Sequence, residues 1–115
     1  MPDLSWGGGL TEGRKIAALA DTHYMPVTCH DTIGPVAAWA AAHLMLHIPN
    51  GLIIETVRGY VEGWYNDVLQ DPIPLRNGFL SVPDRPGLGT RLRSDLATRP
   101  GARQEVSTAD SLARQ

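Results

Sequence analysis

The sequence predicts an α/β protein in which consecutive parallel strands are joined by helices, and it predicts only a part of one. Three observations carry that reading. Helical stretches alternate with short β-branched or apolar runs, joined by a few residues at a time. Leu52-Ile53-Ile54 is an unbroken apolar triplet, the character of a parallel strand covered on both faces. Two such strands close neither a barrel nor an ordinary open sheet, because both outer edges keep unpaired backbone groups. The expectation is therefore the C-terminal portion of a larger α/β protein.

Taken in order, Thr11-Glu12-Gly13-Arg14 follows a glycine turn and opens an amphipathic run. Ile16, Leu19, Ala20 and His23 fall at i, i+3, i+4 and i+7, which predicts one buried helical face. Glu12 suits the positive end of the helix dipole, and His23 suits the negative end. Met25-Pro26-Val27-Thr28-Cys29 predicts a strand that begins with proline. Gly34-Pro35 restarts a helix, proline being tolerated in a first turn whose N–H groups have no intrahelical partner. Its expected face is Val36, Trp39, Ala40, His43, Leu44 and His47, and Pro49-Asn50-Gly51 ends it. Thr56–Gln70 lacks clean periodicity and is expected to be loop with short helix. Asn77-Gly78 supplies the two positive-φ positions of a tight hairpin turn between Pro74 and Leu80, and Pro83–Gly89 reads as a turn-rich exit.

Composition shifts once. All the tryptophans, all the tyrosines and Phe79 lie within residues 1–90, and none follows. Residues 91–115 are expected to form a flexible tail, with weak helix around Ala109–Arg114, because they bury too little apolar surface to offset ordering entropy. Ten basic against twelve acidic residues give a net charge of -2, which argues against a nucleic-acid partner. One cysteine, Cys29, excludes an internal disulfide framework. No apolar run approaches the ~20 residues of a membrane span, and Met1-Pro2-Asp3-Leu4 lacks a signal-peptide layout. The expectation is a cytoplasmic protein with no membrane partner.

Chemistry concentrates at strand ends. Asp3 precedes the glycine turn, His30 follows the Val27–Cys29 strand, and Glu55 follows Leu52–Ile54. In an α/β barrel the C-terminal strand ends gather around one site, so these three side chains are expected to converge. A carboxylate bonded to one ring nitrogen of histidine sets its tautomer and leaves the other nitrogen to move a proton. Other features read as structural. Asp31 is expected to lead into the next helix. His43 and His47 lack a third ligand and are expected to be polar helix edges. Gly7-Gly8-Gly9 matches no phosphate-binding pattern and is expected to be a tight turn. Cys29, opposite His30 by strand alternation, is expected to pack under the helices. Trp64 and Tyr65 are expected to pack rather than to line a pocket.

Pro2–Glu12, Val27-Thr28-Cys29-His30-Asp31, Gly34-Pro35 and Ile54-Glu55, in that order, resemble the end of the barrel domain in the mandelate racemase/muconate-lactonizing branch of the enolase superfamily. The similarity is closest to its acid-sugar dehydratases, covers roughly residues 1–90 and includes the exit from Pro72 to Gly89. The resemblance implies a partial C-terminal segment of a (β/α)7β, modified TIM, barrel: its last strands and helices, then a C-terminal hairpin and a disordered tail. It implies Mg²⁺-dependent removal of a proton α to a carboxylate, followed by loss of water from a sugar acid. It implies His30 as base, or as the acid that helps the β-hydroxyl leave. Asp3 is then its dyad partner, and Glu55 a hydrogen-bonding partner of the substrate carboxylate or enediolate. A homo-oligomer is among the assemblies it implies.

The departures are equally definite. The resemblance places the metal carboxylates and a lysine base on earlier strands. Lys15, the only lysine, lies within a helix. The expectation is thus a chain inactive alone, holding the acid–base half of a dehydratase without its Mg²⁺ ligands. A racemase or epimerase of the same branch is the neighbouring enzyme reading. A non-catalytic remnant or interaction module is the reading from a different class.

Overall fold

The computed structural model describes residues 1–106. Helix α1 (Gly9–Thr22) leads to strand β1 (Val27–Cys29), helix α2 (Pro35–His47) and strand β2 (Gly51–Ile54). Two short helices follow, α3 (Arg58–Val61) and α4 (Trp64–Val68), then the strands β3 (Leu75–Arg76) and β4 (Phe79–Leu80) and a 3-10 turn at Leu96–Thr98. The expected α/β order is present, and short helices occupy the Thr56–Gln70 stretch. Among the described residues no helix is long and apolar enough to cross a membrane.

Strands β1 and β2 pair in parallel, with Thr28 opposite Ile53 and Cys29 opposite Ile54. On the other side of β1, Asp3 forms an isolated parallel bridge with His30, closed by the His30 N–H donating to the Pro2 carbonyl at 2.9 Å. Three chain segments therefore end side by side in the order Asp3, His30, Glu55. The Glu55 N–H completes the row by donating to the Cys29 carbonyl at 2.9 Å.

The turn after Asp3 explains its glycines. Asp3 Oδ1 accepts the Ser5 N–H at 2.8 Å, and the Asp3 carbonyl accepts the Gly7 N–H at 2.8 Å. A Cβ on Gly7 would sit 2.7 Å from that carbonyl, and Gly8 holds φ 91°, a left-handed conformation that costs other residues energy. The hairpin turn is as expected, with Asn77 at φ 52° and Gly78 at φ 81°.

Two helix faces differ from expectation. In α1, Ile16 and Leu19 are 43% and 65% exposed, whereas Gly13 and Ala17 are buried. The cause is close approach: a Cβ on Gly13 would lie 2.7 Å from Leu4 Cδ2 and 2.9 Å from Leu44 Cδ2. A small-residue stripe, not the apolar one, faces the rest of the protein. In α2 the expected face included Val36 and His47, yet both are exposed. The buried set is Pro35, Ala38, Trp39, Ala41, Ala42 and Leu44, because the helix is covered on two sides. Ala41 and Leu44 pack with Leu4 and Cys29, while Ala38 and Trp39 pack with Val61, Tyr65, Leu69 and Ile73.

Strand β2 also departs. Leu52 and Ile53, expected to be covered on both faces, are 63% and 61% exposed. Among the described residues β2 has β1 as its only neighbour, so one edge and much of one face remain open.

Beyond residue 90, the Gln70 N–H donates to the Arg91 carbonyl and the Arg93 N–H to the Val68 carbonyl, which ties this stretch to the end of α4. The helix expected around Ala109–Arg114 lies outside the described residues.

Candidate acid–base site at the strand ends

The three strand-end side chains meet. His30 Nδ1 lies 2.6 Å from Asp3 Oδ2, and His30 Nε2 lies 3.7 Å from Glu55 Oε2. The imidazole thus sits between two carboxylates, with 30% of its side chain exposed to solvent. Because an ionised carboxylate can only accept, the Nδ1 position carries the proton toward Asp3 and Nε2 faces outward toward Glu55. Thr32 Oγ1 is 3.5 Å from Nε2, at the outer limit of a hydrogen bond.

The electrostatics follow this geometry. The hydrogen bond to Asp3 raises the His30 pKa above its ordinary value. Burial opposes the rise, and the negative charges of Glu55, Asp3 and Asp31 add to it. Burial pushes the Asp3 carboxyl up, but the hydrogen bonds from His30, Ser5 and Trp6 outweigh it and leave Asp3 below its ordinary value. The pair is held as imidazolium and carboxylate over a widened pH range.

The residue beside His30 leads into α2 as expected, and the structure adds an environment that the sequence did not show. Asp31 is fully buried, the one buried charged side chain among the described residues. Its Oδ2 accepts from Thr56 Oγ1 at 3.0 Å and its Oδ1 from the Tyr65 hydroxyl at 3.2 Å. Burial raises its pKa, against the lowering effect of those two donors and of the Gly34 and Ile33 N–H groups. Burial and Asp31 together push the Tyr65 hydroxyl up. The sequence carried no local sign of this, since Tyr65 reaches Asp31 only through the tertiary fold.

The remaining candidates fall outside the site. Cys29 is completely buried, and burial raises its thiol pKa, as expected of a packed residue. His43 Nε2 donates to the Leu88 carbonyl at 3.1 Å and pins the exit segment onto α2. Tyr65 is buried and Trp64 is 42% exposed, the two rings meeting edge to face at 4.6 Å.

Mg²⁺ is the metal the resemblance implies. The donor set here does not fit it: among the described residues no three His, Cys, Asp or Glu side chains are grouped to hold a metal ion. The Asp3 oxygens are already engaged by His30, Ser5 and Trp6.

Known proteins are similar to this chain over most of its length. The D-xylonate dehydratase of Haloferax volcanii is 40% identical over 94 residues, 82% of this chain and 23% of that protein. A D-mannonate dehydratase of Sphingomonas sp. is 37% identical over 92 residues, 78% of this chain and 22% of that protein. Among solved structures, an enolase protein from Sargasso Sea environmental sequence superposes with TM-score 0.78 at 46% identity, covering 86% of this chain and 26% of that one. A mandelate racemase/muconate lactonizing enzyme from Jannaschia sp. CCS1 gives TM-score 0.77 at 31% identity, over 94% of this chain and 27% of that one. The chain thus spans about a quarter of the length of the proteins it matches. The family described as enolase C-terminal domain-like matches residues 1–96, and the chain belongs to that family.

Proposed function

We propose that residues 1–90 supply the acid–base half of an acid-sugar dehydratase, acting within a longer enzyme. One observation carries the reading: an imidazole held by a carboxylate at 2.6 Å on Nδ1, with its Nε2 free to meet substrate beside a second carboxylate. In this reading neutral His30 takes the proton from the carbon next to the substrate carboxylate. The electron pair left behind forms the carbon–carbon double bond as the β-hydroxyl departs, and the proton on Nε2 completes the water that leaves. Asp3 holds the ring and stabilises the imidazolium that forms. Glu55 is the hydrogen-bonding partner of the substrate carboxylate or the enediolate. A sugar acid is favoured as substrate because the relatives named above act on D-xylonate and D-mannonate.

The test is exchange of the substrate α-proton with deuterated solvent in a full-length enzyme carrying this segment. His30→Asn keeps a polar side chain of similar reach but cannot serve as base at neutral pH. Exchange is expected to fall by about 10²-fold or more. Exchange at the unsubstituted rate would remove His30 from the mechanism.

A further inference from the structure

We propose that Asp31 is a positioning residue that sets the distance between His30 and Glu55 through its hydrogen bond with Thr56. Asp31 directly follows His30, and Thr56 directly follows Glu55. The bond from Thr56 Oγ1 to Asp31 Oδ2, 3.0 Å long, therefore joins the two strand ends one residue beyond the two side chains that face each other. The backbone ladder between β1 and β2 ends at the Glu55 N–H to Cys29 carbonyl bond. Past that point the Asp31–Thr56 bond continues the connection.

The second bond, from the Tyr65 hydroxyl to Oδ1 at 3.2 Å, anchors the clamp to α4. Asp31 and Tyr65 are both fully buried, so the carboxylate has no access to water and depends on these donors and on the Ile33 and Gly34 N–H groups. A buried carboxylate whose partners come from three separate segments holds those segments in one arrangement. Here the consequence is that the backbone positions from which His30 and Glu55 face each other at 3.7 Å are held before any substrate arrives. This inference rests on the proposed acid–base role of His30, and its test does not require turnover.

The test uses diethyl pyrocarbonate, which carbethoxylates only unprotonated imidazole. Peptide mass spectrometry of the 115-residue chain at micromolar concentration reads each histidine separately against pH. Groups facing His30 are Asp3, Glu55 and Asp31, and the Thr32 hydroxyl. Those facing Asp31 are His30, Thr56 and Tyr65. Glu55→Gln is expected to lower the His30 midpoint. In a Thr56→Val background, which changes no charge, that shift is expected to shrink by about twofold or more. Thr56→Ser keeps the hydroxyl and is expected to restore the shift. Tyr65→Phe leaves the Thr56 bond in place and is expected to retain it. An undiminished shift in folded Thr56→Val, or a failure of Thr56→Ser to restore it, overturns the clamp alone. A His30 midpoint not raised above 6.5 in the unsubstituted chain overturns both the clamp and the acid–base reading beneath it. Should Thr56→Val not fold, Thr56→Ala poses the same question with the same outcomes.

Discussion

At the scale of single residues, the chain spends buried and half-buried charge on one corner. Asp3, His30, Asp31 and Glu55 lie within two strand ends and one turn, and their charges are mutually supporting only while His30 is protonated or Asp31 is hydrogen-bonded. This gives a signed pH dependence. His30 is raised from 6.5, so its contribution to stability is complete below that value and is lost as pH rises through the folded pKa. Asp3 is lowered from 3.8, so its contribution is complete above that value and is lost as pH falls through its folded pKa. Asp31 is raised, so its ionisation above 3.8 works against folding. The Asp3–His30 pair is thus expected to stabilise most between roughly pH 4 and 6.5. Asp3→Asn should lower the His30 midpoint, observable by NMR titration of the ring protons. An unchanged midpoint would mean that the 2.6 Å contact does not form in solution.

At the scale of elements, packing distance rather than periodicity decides which helix face is covered. In α1 the tight contact is made by Gly13 against Leu4 and Leu44, and Asn50 Nδ2 donates to the carbonyl of buried Ala17 at 3.0 Å one turn on. Gly13→Ala places a methyl group inside 3 Å of two leucines. It is expected to cost about 1–3 kcal/mol by overpacking, measured by urea denaturation. Leu19→Ser, on the face the sequence pattern favours, is expected to stay within about 0.5 kcal/mol because Leu19 is 65% exposed. Equal destabilisation by the two substitutions would restore the apolar face as the packed one.

At the scale of the whole molecule, one side of the sheet is open. Leu46, Leu52, Ile53 and Phe79 are each more than half exposed and border one apolar hollow between α2, β2 and the β3–β4 hairpin. An exposed strand edge beside an apolar patch favours association. The 115-residue chain alone is therefore expected to self-associate as concentration rises, seen by analytical ultracentrifugation. Ile53→Lys should reduce the association, and a chain that stays monomeric at high concentration would show that the patch is not sticky. Proteins similar to this chain are about three and a half times its length.

The sequence by itself determined the strand–helix order, the Asn77-Gly78 hairpin, the tight glycine turn and the identity of the three residues that meet at the strand ends. The first three depend on local backbone preference, which acts over a few neighbours, whereas the meeting of Asp3, His30 and Glu55 follows from parallel strand ends gathering at one side. The covered faces of α1 and α2, the exposure of Leu52 and Ile53, and the burial of Asp31 were decided only in three dimensions. Asp31 illustrates the reason. The Ile33 and Gly34 N–H groups that Asp31 takes are local, but its burial is made by folding, which also brings the Thr56 and Tyr65 hydroxyls onto its carboxylate.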